Sequence, residues 1–319
     1  MTSPVPGARN LTADDLGVGY EARAQTSRGS SAPDAPVLDS DDPRMKEIGR
    51  LLDQFGGVIL SGPPGTSKSW LAGQAADLIT GEDRTRQAFI QFHASYQFED
   101  FMEGFRPRKS GEGFEPRRGV FLTMVDKAVL DPDRPHVVVI DELSRADVGR
   151  VFGESLTYIE KSKRGNSFTL PSGDECVIPK NLLMIATMNP LDRGVDDVDA
   201  AFERRFAKIE MPPDVESLRQ ILTTNGVDED LGNRLVAWFT KTNARAKNNP
   251  AASVGHAYFS SVVDAATLQD VWYYQLHYLI DRAFKYDKAT LKEVVNGWNK
   301  IFATDDDDDG GSSGGGDQP

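Results

Sequence analysis

Short apolar runs alternate with amphipathic stretches through the middle of the chain. The runs GGVIL, AFIQF, HVVVI, LLMIAT and FAKIEM lie at 56–60, 88–92, 136–140, 182–187 and 206–211. The stretches between them have helical spacing and lie at 67–80, 117–130, 147–162 and 196–204. Near-continuous apolar strands separated by helices are typical of a parallel sheet covered on both faces. The pattern therefore predicts an α/β fold.

The flanking regions have other patterns. The first 44 residues are rich in Pro, Gly, Ser and Asp and lack a sustained apolar period, which indicates a flexible leader. Beyond Pro213 the periodicity is helical, and the polar segment 162–181 surrounds a turn sequence typical of a β-hairpin. We expect helical spacing to bury most of the aromatic stretch 271–280. The predicted units are a leader over 1–44, an α/β core over 45–212, a small helical domain over 213–302 and an acidic, Gly/Ser-rich disordered tail over 303–319.

Composition and charge narrow the class of protein. The chain has 319 residues, and its 49 acidic and 36 basic side chains give a net charge of -13. Six of the acids lie in 305–319, so the rest of the chain carries -7, and a generally basic nucleic-acid-binding surface is not indicated. The single cysteine, Cys176, excludes an internal disulfide and a multi-cysteine metal site. The sequence has no secretory signal and no run near the ~18 apolar residues of a membrane span, which predicts a cytoplasmic protein without a membrane partner.

The strongest motif follows the first apolar run and opens a helix pattern, as a phosphate-binding loop (P-loop) does. Its residues are Gly62, Pro63, Pro64, Gly65, Thr66, Ser67, Lys68 and Ser69. In such a loop the backbone N–H groups cradle phosphates, Lys68 neutralises the β and γ oxygens, and Ser69 supplies a hydroxyl to Mg²⁺. Ser67 stands where the pattern has glycine, and a left-handed backbone there would cost serine about 1 kcal/mol. The flanking strand and helix make a chance glycine-rich turn the weaker interpretation.

Polar residues also lie at the ends of the other predicted strands. Asp141 and Glu142 end the HVVVI strand, so Asp141 would hold Mg²⁺ and Glu142 would polarise the attacking water. Taken alone, the two acids fit a solvated strand end or a helix cap equally well. Asn189 follows the LLMIAT strand and can orient the same water. Arg204 and Arg205 precede the last strand and could reach a neighbouring subunit's γ-phosphate, or pair on the surface with the acids at 196, 197 and 199.

Five longer strings carry a family resemblance. They are FHASYQFEDFMEGFRP (92–107), IDELSRADVGRVFGESLTYIEKSKRG (140–165), MNPLDRG (188–194), FERRF (202–206) and GHAYF (255–259). Over about residues 45–300 the chain resembles the AAA+ superfamily, and within its dynein-related and MoxR-like branch the McrB-like motor subunits of modification-dependent restriction systems. The resemblance implies that Asn189 is sensor 1, that Arg204 or Arg205 is the arginine finger, and that 166–179 is the pre-sensor hairpin. It also makes the helical domain a lid, whose His256 we expect to approach the nucleotide.

The resemblance implies a Mg²⁺-dependent hydrolase of ATP or GTP, assembled as a homo-hexameric ring, that drives an McrBC-like anti-phage or DNA-restriction assembly. McrB-type motors are associated with GTP and most AAA+ proteins with ATP, and the superfamily tendency slightly favours ATP. We expect a separately encoded McrC-like or other effector partner, with DNA engaged only through the assembly. Two alternatives stay open: a MoxR-like chaperone ATPase that works with an adaptor, and a nucleotide-gated scaffold with little turnover.

Two departures from the family pattern bear on these expectations. Pro190 and Leu191 stand where the family usually has Thr-Ala, which would alter hydrolysis stimulated by a partner. No amino-terminal DNA-reading domain is expected before the motor, which argues against direct recognition of modified DNA by this chain.

Overall fold

The structure, a computed structural model, describes residues 38–108, 111–190, 200–247 and 250–303. Most of the predicted leader and tail, at 1–37 and 304–319, lies outside these ranges. The strands are β1 (Gly57–Ser61), β2 (Gln87–Gln91), β3 (Glu103–Pro107), β4 (Phe114–Arg118), β5 (His136–Asp141), β6 (Ser167–Thr169), β7 (Glu175–Val177), β8 (Leu182–Met188) and β9 (Ala207–Glu210). The helices before β9 are α1 (Pro43–Phe55), α2 (Lys68–Thr80), α3 (Phe98–Phe101), α4 (Val120–Leu130), α5 (Val148–Phe152), α6 (Ser155–Tyr158) and α7 (Ala200–Glu203). The helices after it are α8 (Val215–Thr224), α9 (Glu229–Ala246), α10 (Ala265–Val271), α11 (His277–Ala283) and α12 (Lys288–Asn299).

Five strands form one parallel sheet in the order β2-β5-β8-β1-β9. Ala186 of β8 lies opposite Ile140 of β5 on one side and Ile59 of β1 on the other. The carboxyl ends of β1, β5 and β8 therefore lie side by side at one edge of the sheet. The five apolar runs are these five strands, which confirms the predicted α/β fold.

Both faces of the sheet are buried. Val137 and Val139 of β5 belong to a cluster with residues of α1 and α2, whereas Val138 and Ile140 belong to a cluster with residues of α4 and α5. The alternation follows from the two-residue period of a strand. Helices α8 to α12 surround a further cluster that includes Trp238 and Trp298. No helix in the described ranges is both long enough and apolar enough to cross a membrane.

The first helix begins at Pro43, two residues before the predicted start of the core, because Asp42 caps it by accepting the N–H of Arg44. The helix predicted over 117–130 is wrong at its start. Residues 117 and 118 end β4, which pairs antiparallel with β3, and α4 begins only at Val120. Gly119 separates them, and a Cβ there would lie 2.4 Å from the backbone of Phe101. The close approach of these two backbones ends the hairpin and starts the helix.

The predicted helical stretch 147–162 is divided into α5 and α6. Gly153 lies between them with φ +50°, and the ring of Phe98 occupies the space where its side chain would be. The β-hairpin predicted within 162–181 is present, because β6 pairs antiparallel with β7. A glycine in a left-handed conformation thus breaks a helix that the apolar spacing alone predicts as continuous.

The region 258–286 contains two helices, α10 and α11, joined by a π-helical turn at Trp272–Leu276. The expectation that helical spacing buries most of its aromatic residues is wrong for three tyrosines, since Tyr273, Tyr274 and Tyr278 are about two-thirds exposed. The buried positions are taken by Leu276 and Ile280. The π turn shifts the helical register by one residue, so a constant 3.6-residue period does not identify the inward face.

Candidate functional site

The P-loop connects β1 to α2 and is closely packed on both sides. A Cβ on Gly62 would lie 2.2 Å from the carbonyl oxygen of Met211, so no side chain fits there. Gly65 has φ +75°, and the ring of Tyr258 lies 2.9 Å from the position of its missing Cβ. Thr66 is fully buried, and its Oγ1 donates a hydrogen bond of 3.0 Å to the carbonyl of Pro63 across the loop. The loop conformation is therefore fixed by residues of this chain.

Ser67 and Lys68 lie at the point where the loop becomes α2. Ser67 has φ 60° and ψ 22°, the left-handed conformation that glycine would adopt freely and that costs a residue with a Cβ about 1 kcal/mol. The Lys68 Nζ donates to the carbonyl oxygens of Gly62 at 2.9 Å and Pro63 at 2.8 Å. The Lys68 ammonium thus lies against the same loop in which a phosphate would bind.

Asp141 connects the P-loop helix to the neighbouring strand β8. Its Oδ1 accepts a hydrogen bond of 2.6 Å from the Ser69 hydroxyl and another from the Thr187 hydroxyl. Thr187 Oγ1 in turn accepts the backbone N–H of Glu142 at 3.2 Å. Residues from α2, β5 and β8 therefore form one hydrogen-bonded cluster at the carboxyl edge of the sheet.

The donor set of this cluster fits Mg²⁺. Ser69 and Asp141 present a hydroxyl and a carboxylate oxygen within 2.6 Å of each other, next to the phosphate-binding loop. Mg²⁺ takes oxygen ligands and is usually held by one or two protein groups together with water and substrate phosphates. Among the described residues, no cluster of three or more His, Cys, Asp or Glu side chains could hold a metal by itself. A site with two protein oxygens thus matches what Mg²⁺ requires when phosphate supplies the remaining ligands.

Glu142 follows Asp141 in a left-handed backbone conformation, with φ 57° and ψ 46°. Such strain in a residue other than glycine is concentrated at functional sites. Its Oε2 lies 3.4 Å from the Nε of Arg145. The carboxylates of Asp141 and Glu142 therefore follow one another at the end of β5. The Asp141 carboxylate accepts a hydrogen bond from Ser69, and the Glu142 carboxylate pairs with Arg145.

Asn189 follows β8 beside the start of the P-loop and is buried. The preceding carbonyl, of Met188, accepts the N–H of Gly62 at 3.2 Å, which places Asn189 at the same edge as the cluster. The rest of the MNPLDRG string, from Leu191 onward, lies outside the described residues, as do the acids at 196, 197 and 199.

Arg204 and Arg205 lie at the opposite end of the sheet from the P-loop of the same chain. They precede β9, whose Ala207 pairs with Val58 near the amino end of β1, whereas the P-loop follows the carboxyl end about 13 Å away. Arg204 is exposed and Arg205 is buried, with its Nε 4.0 Å from a carboxylate oxygen of Glu160. Both arginines line a cavity of about 450 Å³ together with Gln54, Phe55, Glu160, Lys161 and Ser162.

The GHAYF string of the helical region packs directly on the P-loop. The N–H of Ala257 donates to Gly65 O at 2.8 Å, and a Cβ on Gly255 would lie 2.1 Å from the same oxygen. His256 is buried, which lowers its pKa to about 4 and keeps the ring neutral near pH 7. Its Nε2 lies 3.1 Å from the Ser67 hydroxyl, and its Nδ1 accepts the N–H of Asp214 at 3.2 Å. Both ring nitrogens therefore contact protein atoms in this state.

The structure brings together the residues predicted to bind phosphate, to bind metal and to activate water. It places Arg204 and Arg205 at the other end of the sheet. Sequence reasoning missed Thr187, Asp214 and Tyr258. Thr187 carried a usable signal, because it is the polar residue that ends an apolar strand paired beside Asp141. Asp214 and Tyr258 carried no such signal, since one contributes a backbone N–H and the other a ring that covers a glycine.

Comparisons with known proteins agree with this geometry. The family model of the AAA domain of the dynein-related subfamily matches residues 57–206. The chain is 31% identical over 260 residues to the type IV methyl-directed restriction enzyme EcoKMcrB subunit of Escherichia coli K12, across 74% of this chain and 56% of that protein. It is 26% identical over 188 residues to the type II restriction enzyme BsuMI component YdiS of Bacillus subtilis 168, across 47% of this chain and 55% of that protein. The chain thus spans about half the length of these curated relatives. Residues 57–206 of this chain are an AAA domain of the dynein-related subfamily, and the chain is similar to components of two restriction enzymes.

Proposed function

We propose that this chain is a Mg²⁺-dependent nucleoside triphosphatase that works as a ring of identical subunits. The observation that carries the proposal is the hydrogen-bonded cluster at the carboxyl edge of the sheet, where Ser69, Asp141 and the backbone of Glu142 meet beside the P-loop. P-loops bind phosphates through backbone N–H groups at a helix N-terminus, here that of α2. ATP and GTP share these phosphates, so the site is compatible with either nucleotide.

In the proposed reaction each residue has one task. Lys68 leaves the loop carbonyls to neutralise phosphate oxygens. Ser69 and Asp141 would hold Mg²⁺, which would supply further positive charge to the phosphates. Glu142 polarises the attacking water, and its release from Arg145 is part of reaching the active state. Asn189 orients that water from the end of β8. The buried Thr187 fixes Asp141 and the backbone of Glu142 relative to each other.

The ring proposal rests on where the two arginines lie. Since Arg204 and Arg205 are at the amino end of the sheet, their route to a γ-phosphate is across a head-to-tail interface with another copy of the chain. A closed ring of such interfaces is expected, and a homo-hexamer is the form that the family resemblance implies. The cavity beside Arg204 and Arg205 would then be part of the subunit interface.

We further propose that the ring is the motor of a DNA-restriction or anti-phage assembly with a separately encoded McrC-like or other effector partner. Both relatives are named as restriction enzyme subunits or components. The chain is acidic, and arginines of the β3–β4 hairpin pair with acids of this chain, Arg106 with Asp100 and Arg118 with Asp126. These pairs reduce the positive charge available to phosphates, so we expect DNA to be engaged through the assembly.

One observation favours a second candidate, a nucleotide-gated scaffold with little turnover. Ser67 occupies the left-handed position of the loop in which the pattern has glycine, and the resulting strain could slow the rearrangements of a turnover cycle. The two candidates differ in the rate of hydrolysis by the assembled protein, which a turnover assay measures directly.

The test is binding and turnover of ATP and of GTP by the purified chain, with and without Mg²⁺. We expect wild type to bind at least one nucleotide and Lys68→Ala to lose that binding, because the ammonium is the main positive charge at the phosphates. The exposed lysine Lys180, near the amino end of β8, provides the matched control Lys180→Ala, which should bind as wild type does. Equal binding by wild type and Lys68→Ala would contradict the proposed site, and binding without turnover in the assembled ring would favour the scaffold.

A further inference from the structure

Ser67 does not use its hydroxyl as a serine at this position usually does. It precedes the first residue of α2, where a serine hydroxyl commonly accepts an N–H of the first helical turn. Within the described chain its side chain makes no such capping bond, and Oγ lies instead 3.1 Å from Nε2 of His256. The residue that departs from the P-loop pattern is therefore the residue that contacts the lid.

The hydrogen bonds of His256 define which nitrogen carries its proton. Because Nδ1 accepts the backbone N–H of Asp214, the neutral ring has its hydrogen on Nε2, and Nε2 donates to Ser67 Oγ. Asp214 is also anchored, since its carboxylate caps α8 by accepting the N–H of Ser217 at 2.7 Å. A continuous chain of contacts thus runs from the P-loop through His256 to the start of α8.

Two other contacts from the same string reach the same loop. The N–H of Ala257 donates to Gly65 O, and the ring of Tyr258 covers Gly65. These contacts hold the first half of the loop, whereas the bond from His256 holds Ser67, the residue that orients the N–H groups entering α2. The conformation of Ser67 consequently depends on the lid.

We propose that the Ser67–His256 hydrogen bond is a latch that holds the P-loop in its phosphate-binding conformation, so that His256 acts on the nucleotide through Ser67 as a positioning residue. In this chain the lid contact compensates for the missing glycine, because the bond stabilises the left-handed backbone that serine otherwise disfavours. The latch rests on the proposed nucleotide site. Preorganising the loop raises nucleotide affinity, since less ordering remains to be done on binding.

The test is a double-mutant cycle read as the dissociation constant of a fluorescent nucleotide analogue in the presence of Mg²⁺. Ser67→Ala removes the hydroxyl, and His256→Asn keeps an acceptor near Asp214 but is too short to reach Ser67. We expect each change to weaken nucleotide binding about fivefold. The double variant should bind no more weakly than the single variant with the lower affinity, because both changes remove the same bond.

Two further variants sharpen the result. Ser67→Gly should bind more tightly than Ser67→Ala, since glycine relieves the backbone strain, and His256→Gln, whose amide N–H can reach Ser67, should restore most of the affinity that His256→Asn loses.

Matched controls are Ser260→Ala and His277→Leu, which alter a serine and a histidine that hydrogen-bond with Asn225 and Trp272 of the same helical region. They should bind as wild type does. Additive losses in the cycle, unchanged affinity in Ser67→Ala, or no difference between His256→Gln and His256→Asn would overturn the latch. Should wild type bind neither nucleotide, the proposed function fails first, whereas binding by wild type with an additive cycle removes the latch alone.

Discussion

The two ends of the central sheet are built differently. At the carboxyl end, side chains from α2, β5 and β8 are joined by hydrogen bonds into one cluster, and the GHAYF string of the helical region packs on the loop beside it. At the amino end, the exposed Arg204 and the buried Arg205 line an open cavity. The first end has the parts of a nucleotide site within one chain. The second carries two arginines that lie far from the P-loop of their own chain and that, under the proposed function, would serve the site of a neighbouring subunit.

A third arginine at the amino end makes the contrast sharper. Arg164 is buried, and its guanidinium donates to the carbonyl oxygens of Ile159, Gly56 and Leu182, so it ties the β6–β7 hairpin region to the starts of β1 and β8. Burial lowers its pKa to about 10. Arg164 thus has the contacts of a structural residue, whereas Arg204 is exposed and, under the proposed function, acts on a neighbouring subunit.

The largest effect is expected from Arg204→Ala/Arg205→Ala. If these residues complete a neighbour's site, turnover of the assembled ring should fall about 10³-fold or more, as when an arginine finger is removed. Mixing this variant with Lys68→Ala subunits should restore part of the activity, because an intact P-loop then meets intact arginines at some interfaces. Arg219→Ala, a change at an exposed arginine of α8, is the control and should leave turnover unchanged. No restoration on mixing, together with a monomeric mass at saturating nucleotide, would contradict the ring.

The next effect concerns the carboxyl end alone. Glu142→Gln should reduce turnover about 10²-fold or more and leave nucleotide affinity close to wild type, because the amide cannot polarise water but the phosphate contacts stay intact. Single-turnover hydrolysis and nucleotide binding measured on the same preparation separate the two effects. Equal turnover by wild type and Glu142→Gln would exclude Glu142 as the water-activating residue.

Much of the carboxyl end could be predicted from sequence because its parts are local. The P-loop is one continuous string, and each other predicted residue ends an apolar run, so the parallel-sheet pattern alone places Asp141, Glu142 and Asn189 at one edge. The roles assigned to these residues stay predictions until they are tested. Thr187 ends an apolar run in the same way and could have been included, whereas Asp214 was missed because its contribution depends on a contact with His256, 42 residues away in the chain.

The amino end and the interruptions of the helices could not be predicted in the same way. The sequence offered the acids at 196, 197 and 199 as partners for the arginines, and these acids lie outside the described residues. It did not offer Glu160, which the tertiary fold brings close to Arg205. The breaks at Gly119 and Gly153 arise from backbones and rings that approach from elsewhere in the chain. Apolar spacing predicts which segments are strands or helices, and tertiary contacts decide where each one stops.

Arg164→Met tests the structural half of the amino end. It removes donors from three carbonyl oxygens in a buried setting, so we expect the free energy of unfolding to fall by about 3 kcal/mol. Arg204→Met is the matched control and should change it by no more than about 0.5 kcal/mol, because that side chain is exposed. Denaturant unfolding of both variants gives the comparison. Equal losses in the two would remove the distinction between the structural arginine, Arg164, and the proposed interface arginine, Arg204.

The smallest effect is a pH dependence that separates the two ends. Burial lowers the pKa of His256 from 6.5 to about 4, so the unfolded chain binds a proton at a pH where the folded chain does not. The contribution of the neutral ring to the free energy of unfolding is complete above pH 6.5 and is lost as the pH falls towards 4. At pH 5 the loss is about 2 kcal/mol. Arg164, at the amino end, stays protonated throughout this range.

The measurement is the free energy of unfolding of wild type minus that of His256→Gln, which keeps a donor towards Ser67 and does not titrate. This difference should fall by about 2 kcal/mol between pH 8 and pH 5. Two charged groups act on His256 in opposite directions, since Asp214 raises its pKa and Arg44 lowers it, and both are present in the two proteins. His136 at the amino end of β5 is also buried with a lowered pKa, so His136→Gln is needed as a parallel control for its separate contribution. A wild-type minus His256→Gln difference that stays constant from pH 8 to pH 5 would show that His256 is not held neutral against the P-loop in solution.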